Sequence, residues 1–143
     1  MQFHFHFLKS GLLSFLLVMA FSLMAQQEAV AEKISNKVAV FSGLDKITGR
    51  TVEFDVYINE TVQFGTLLIT PRICYSRPPE EPQKLSTFLE VREVTLDRQI
   101  KKIFSGWMFA ASPGLNAIEH AVYDVWLLDC KMHSNTPPPS ATN

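Results

Sequence analysis

An all-β domain, a small antiparallel sandwich or barrel, is the fold the sequence predicts, and three observations predict it. Short segments alternate apolar and polar residues with period two and are rich in β-branched and aromatic side chains. Gly, Pro, Asn and Asp recur between them as turn signals. No segment carries helical periodicity over a useful length, and no internal repeat is visible.

The first strand signal is Lys37-Val-Ala-Val-Phe41, and Ser42 to Arg50 reads as a loop, with Gly43 and Gly49 near its ends and Asp45 placed for a turn. Thr51 to Ile58 is the cleanest strand: Val52, Phe54, Val56 and Ile58 share the face that should meet the core. Asn59-Glu60 turns the chain. Gly65 to Thr70 and Pro71 to Tyr75 form one long strand or two, with Pro71 marking an edge or bulge because it cannot donate to a ladder. Pro78 to Lys84 is a stiff polar loop. In Thr87 to Leu96 the apolar parity slips between Arg92 and Glu93, which predicts a β-bulge. Asp97-Arg98-Gln99 turns into Ile100 to Ala110, a long strand expected to bend at Gly106. Val122 to Cys130 is the last strand, and the Pro-rich tail from His133 to Asn143 is expected to be disordered.

The 143 residues give room for one ordinary domain. With 47% hydrophobic and 11% aromatic residues the chain is not of disordered composition. A net charge of −1 argues against a nucleic-acid binder that works through bulk charge.

Met1 to Ala31 reads as a cleaved signal peptide. Lys9 precedes an uncharged apolar run from Gly11 to Met24, and Ala29-Val30-Ala31 offers the small residues a signal peptidase accepts, with Ala25 as a second cut site. The run is short for a membrane span, so no permanent span is expected after cleavage. His4 and His6 fall in the segment expected to be discarded. These features predict a periplasmic or secreted protein.

Cys74 and Cys130 are the two cysteines. In an oxidising compartment they predict one disulfide, which should stabilise by roughly 3–4 kcal/mol for a loop this long. Two Cys and the nearby His133 are too few ligands for structural zinc.

Glu119-His120 with Asp124 is the best acid–base set, and a hydrolase would pair His120 with a nucleophile such as Ser112. Ser112 has no strand–turn–helix elbow around it, and a surface-loop His is the plainer reading. Asp45, Asp55, Asp124 and Asp129 lack the spacing of a calcium loop and read as turn-capping carboxylates. Gly43 to Gly49 lacks the pattern of a phosphate cradle, and no cofactor motif is present. Asn59-Glu60-Thr61 matches the N-glycosylation pattern, a three-residue match that arises readily by coincidence. Arg72 and Arg77 flank Tyr75, an arrangement that suits an anion or a carbohydrate, although surface solvation is the simpler reading. Gly106 to Leu115 is apolar on both strand faces before it breaks at Ser112-Pro113-Gly114. A strand buried on both sides is one reading and an apolar docking lip the other. Burial of large aromatics favours Trp107 and Phe109 in the core, which leaves Met108 and Leu115 as the lip, shaped by Ser112 and a Gly114 free to take positive φ.

Val40 to Arg50 followed by Phe54-Asp55-Val56, Pro71 to Tyr75, Gly106 to Leu115, and Tyr123 to Leu127 with Cys130 together resemble the bacterial domain-of-unknown-function family numbered 2155. The resemblance covers Val38 to Lys131. It implies an exported protein of Gram-negative bacteria and supplies no catalytic residue. The first functional reading is therefore a non-enzymatic periplasmic envelope domain that binds an envelope protein, peptide or lipid. The second is a small envelope hydrolase with His120 as base.

Overall fold

The computed structural model describes residues 31–136. The predicted export segment with His4 and His6, and the Pro137-Pro138-Pro139 run, lie outside the described residues. The chain divides between Ala31 and Glu32, and the β domain starts at Glu32.

The domain is all-β and builds two antiparallel sheets rather than one closed barrel. Its strands are β1 (Ile34–Ser35), β2 (Val38–Asp45), β3 (Arg50–Tyr57), β4 (Val62–Phe64), β5 (Leu67–Ser76), β6 (Ser86–Val94), β7 (Ile100–Phe109) and β8 (Tyr123–Lys131). One sheet has the order β1-β5-β6-β7, with β4 also on β5; the other has the order β3-β2-β8. Inward side chains of both sheets make one core: Leu67, Ile69, Leu89, Val91 and Met108 from the larger sheet meet Ala39, Phe41, Val56, Val125 and Leu127 from the smaller. Cys74 on β5 and Cys130 on β8 are paired across it, with Cα atoms 5.6 Å apart. The bridge thus joins the two sheets.

Several elements differ from the predicted ones, each for a local reason. β2 runs through Ser42 and Gly43, so the predicted loop shrinks to Lys46 to Gly49. Gly43 serves packing rather than a turn: a Cβ there would lie 2.7 Å from the Phe64 ring. The short hairpin is built as the Asp45 signal suggests. The Asp45 carboxylate accepts from the Ile47 N–H at 2.9 Å, and Gly49 takes φ +72°. β1 and β4 are too short to carry a periodic signal. Gly65 turns the β4–β5 hairpin instead of opening a strand. At Pro71 the register shifts as expected of a bulge, with Arg72 the extra residue. The slip predicted between Arg92 and Glu93 lies one residue earlier, between Val91 and Arg92, with Ile103 on β7 the extra residue, and the register continues unbroken through Gly106.

The tail does not leave the domain at His133. Ser134 donates to the Asp55 carboxylate, and the Tyr57 hydroxyl donates to the Thr136 carbonyl at 3.4 Å. Lys131 Nζ reaches the same Asp55 oxygen at 2.7 Å. Burial acts to raise the Asp55 pKa, but the hydrogen bonds from Lys131 and Ser134 and the Lys131 charge win, and the net shift is downward from 3.8. A depressed carboxylate contributes stability that is complete above its unfolded pKa and is lost as pH falls through the folded one. Asp55→Asn is therefore expected to destabilise at neutral pH and to flatten the stability profile below pH 3.8. Parallel acid titrations of unfolding free energy for both proteins check this. Equal slopes in that range would refute it.

Candidate docking surface

The acid–base set does not assemble as a hydrolytic site. His120 sits in the loop before β8 with its imidazole committed at both nitrogens. Nδ1 accepts from the backbone N–H groups of Val122 and Tyr123, each at 3.1 Å. Two donors aimed at Nδ1 place the proton of the neutral ring on Nε2, which then donates to Glu93 at 2.8 Å. The ring also stacks on Tyr123, with centroids 5.3 Å apart. The carboxylate partner is therefore Glu93 on β6, not Glu119 or Asp124. Asp124 takes Lys46 Nζ at 3.1 Å, and the same ammonium donates to the His120 carbonyl at 2.6 Å. Ser112 lies in an exposed turn, where its N–H bonds the Phe109 carbonyl. A base needs a free lone pair near a nucleophile, and His120 has spent its own on the backbone. It pins the loop to the sheet.

That role carries a prediction. His120→Ala orphans two backbone donors and one carboxylate, so it should cost about 1–3 kcal/mol of stability. Thermal or urea unfolding of the variant measures it. An unchanged stability would return His120 to consideration as a free base.

The four aspartates have separate duties: Asp45 in its hairpin, Asp55 with Lys131, Asp124 with Lys46, and Asp129, which accepts from the Cys130 N–H at 2.8 Å. Among the described residues no three His, Cys, Asp or Glu side chains gather as a metal-binding group.

The lip must be redrawn. Met108 is 1% exposed, in the core, while Trp107 is 37% exposed and faces outward. The register explains the inversion. Met108 lies opposite Thr87, and Thr87 opposite Cys74, so all three belong to the inner row that carries the disulfide. Facing sheets ordinarily stand about 10 Å apart. The bridge brings Cα atoms of the two sheets to 5.6 Å at one end of this row, and the flexible Met108 fills its inner side. The aromatic residues consequently collect on the outside of the larger sheet. Trp107 lies between Tyr75, whose ring is nearly parallel at 6.1 Å, and Phe88, edge-on at 5.6 Å. Phe109 shares their parity, one step nearer the loop. Gly114 does not take positive φ, and a Cβ there would meet open space, so the loop does not depend on glycine at that point. Its anchor is Asn116, a residue with no distinguishing mark in the sequence: its amide donates to the Trp107 carbonyl at 2.8 Å. Leu115, 66% exposed, stays on the surface as expected.

Two adjoining clefts open beside this surface and share Lys84, Leu85 and Phe109. One, of about 190 Å³, adds Lys33, Tyr75, Arg77 and Ser86. The other, of about 320 Å³, adds Ala111, Ser112 and Leu115. Lys33 Nζ stands 5.6 Å from the centre of the Tyr75 ring, and Arg77 donates to the Glu32 carbonyl at 3.3 Å. Arg72, expected to work alongside Arg77, is engaged elsewhere, by Glu90 at 2.8 Å and by Asn59. Lys102 also approaches Glu90, at 3.6 Å, so the Glu90 charge is compensated from two sides.

Residues 39–130 match the profile of a family described as "Uncharacterized protein conserved in bacteria (DUF2155)". Over 87 residues, 61% of the chain, the sequence is 28% identical to an uncharacterized protein of Rickettsia prowazekii (strain Madrid E), and it spans 56% of that relative's length. No solved structure matches the chain. Among the described residues no helix is long and apolar enough to cross a membrane.

Proposed function

We infer, for a chain that belongs to the DUF2155 family, an uncharacterized family conserved in bacteria, a non-enzymatic role in the cell envelope. The chain is exported by its N-terminal segment to the periplasm and docks on an envelope component through the outer face of the β1-β5-β6-β7 sheet. One observation carries the reading: Trp107, Tyr75, Phe88 and Phe109 are gathered on the outside of a sheet whose inside is already filled. Trp107 is exposed and the other three are half-buried, and an aromatic group left partly in water on one face marks an interaction site, since it forgoes burial worth about 25 cal/mol per Å². The disulfide is consistent with an oxidising compartment. The commitment of both His120 nitrogens favours binding over hydrolysis.

The test has two readouts in cells that express the full chain. N-terminal sequencing of the periplasmic fraction is expected to begin at Glu32; an intact Met1 would refute export by cleavage. Trp107→Ser with Leu115→Ser is expected to release the protein from the envelope fraction at unchanged melting temperature. Retention equal to that of the parent chain would refute docking through this face.

A further inference from the structure

The geometry points to an anionic phospholipid surface as what this face docks on, an inference that rests on the docking reading above. Three features converge on that chemistry. The cleft pair is lined by the apolar Tyr75, Leu85, Phe109 and Leu115. Lys33, Arg77 and Lys84 line it as well, and among the described residues no carboxylate lines either cleft. The third feature is Trp107 beside Tyr75: amphipathic rings of this type settle at the level of lipid headgroups.

Charge complementarity chooses the occupant. The chain as a whole carries a net charge of −1, so three cations lining one apolar opening are a local concentration rather than a general property. Apolar insertion together with basic residues at the rim is the pattern by which peripheral proteins hold membranes that contain acidic lipids. A neutral glycan would instead need a lining of hydrogen-bonding amides and carboxylates. Beyond the cations the clefts offer the hydroxyls of Tyr75, Ser86 and Ser112, and among the described residues no carboxamide or carboxylate lines them. Leu115, on a turn held to β7 by Asn116, is placed to enter the acyl boundary while Lys84 stays at the phosphates.

The experiment is co-sedimentation of the full chain with vesicles of phosphatidylglycerol and phosphatidylcholine, against phosphatidylcholine alone. All variants carry the same N-terminal segment, so its own affinity for bilayers cancels in the comparison. The parent chain is expected to bind the acidic vesicles at least about tenfold more tightly, the preference falling as salt shortens the Debye length from about 8 to 3 Å. Lys33→Gln, Arg77→Gln and Lys84→Gln together are expected to abolish that preference. Lys84→Glu alone, on an exposed loop, is expected to reduce it severalfold and serves if the triple variant does not fold. Equal binding to both vesicles, or a preference untouched by these changes, overturns the lipid assignment. If the assignment falls while Trp107→Ser with Leu115→Ser still frees the protein from the envelope fraction, docking stands with a different occupant. If neither readout moves, both readings fall.

Discussion

Gly65→Ala is expected to be among the most damaging single substitutions in the domain, costing about 2–5 kcal/mol. Two costs combine at this residue. Gly65 holds φ +56°, where a Cβ costs about 1–2 kcal/mol. That Cβ would also lie 2.2 Å from the Tyr123 ring, and forced repacking of this kind costs about 1–3 kcal/mol. Tyr123 cannot simply swing away. It meets Phe64 edge-on at 5.4 Å and lies against the His120 ring, whose Nε2 bonds β6. Gly49→Ala is the internal control, because φ there is +72° but no atom lies within 4 Å of the added Cβ. It should show the backbone cost alone. Urea unfolding of the two variants separates the terms, and similar losses for both would show that the Tyr123 contact contributes nothing. Gly65→Ala in a Tyr123→Ala background should recover part of the loss, as expected for groups in contact.

Replacing Cys74 and Cys130 together by Ala is expected to cost about 3–4 kcal/mol, since the bridge closes a loop with a sequence separation of 56. For a domain of this size that corresponds to a fall in melting temperature of roughly 15 °C or more. The effect should exceed that of an ordinary core substitution because the bond joins β5 to β8, one strand from each sheet. Reduction of the parent protein should reproduce it. A double variant that melts within a few degrees of the parent would mean that core packing alone sets the spacing of the sheets. The same variant bears on the docking face: if the bridge narrows the gap at the Met108 row, its loss should loosen the outward placement of Trp107. Decreased tryptophan fluorescence quenching by iodide reads this out.

Much of the fold is legible from short-range signals. Alternation marks β3 and β8, and the Asp45–Gly49 turn chemistry closes a hairpin, because each depends on residues adjacent in the chain. Gly43 and Gly65 mislead because a glycine looks the same whether it serves a turn or makes room for a ring. Phe64 and Tyr123 decide which, and Tyr123 is distant in sequence from the glycine it crowds. The candidate site is legible only in part. Leu115 and the unusual apolar run are visible, but Lys33, Lys84, Leu85, Phe88 and Asn116 come from other strands and loops with no local mark of a shared surface.

The sequence by itself determined the all-β class and, with two cysteines, the single possible intramolecular pairing, since backbone alternation and cysteine count need no knowledge of neighbours. Which face of β7 is inside was decided only by the tertiary structure. Trp107, Met108 and Phe109 are all apolar, and hydrophobicity along the strand favours burying the two large aromatics, which is the wrong face. The choice falls to the register against β6 and to the separation of the sheets. Met108 lies in line with Thr87 and Cys74, whose bridge to Cys130 sets that row between the sheets. His120 is decided in the same way: the sequence places it beside Glu119, but only the fold brings Glu93 to its Nε2 and two backbone N–H groups to its Nδ1.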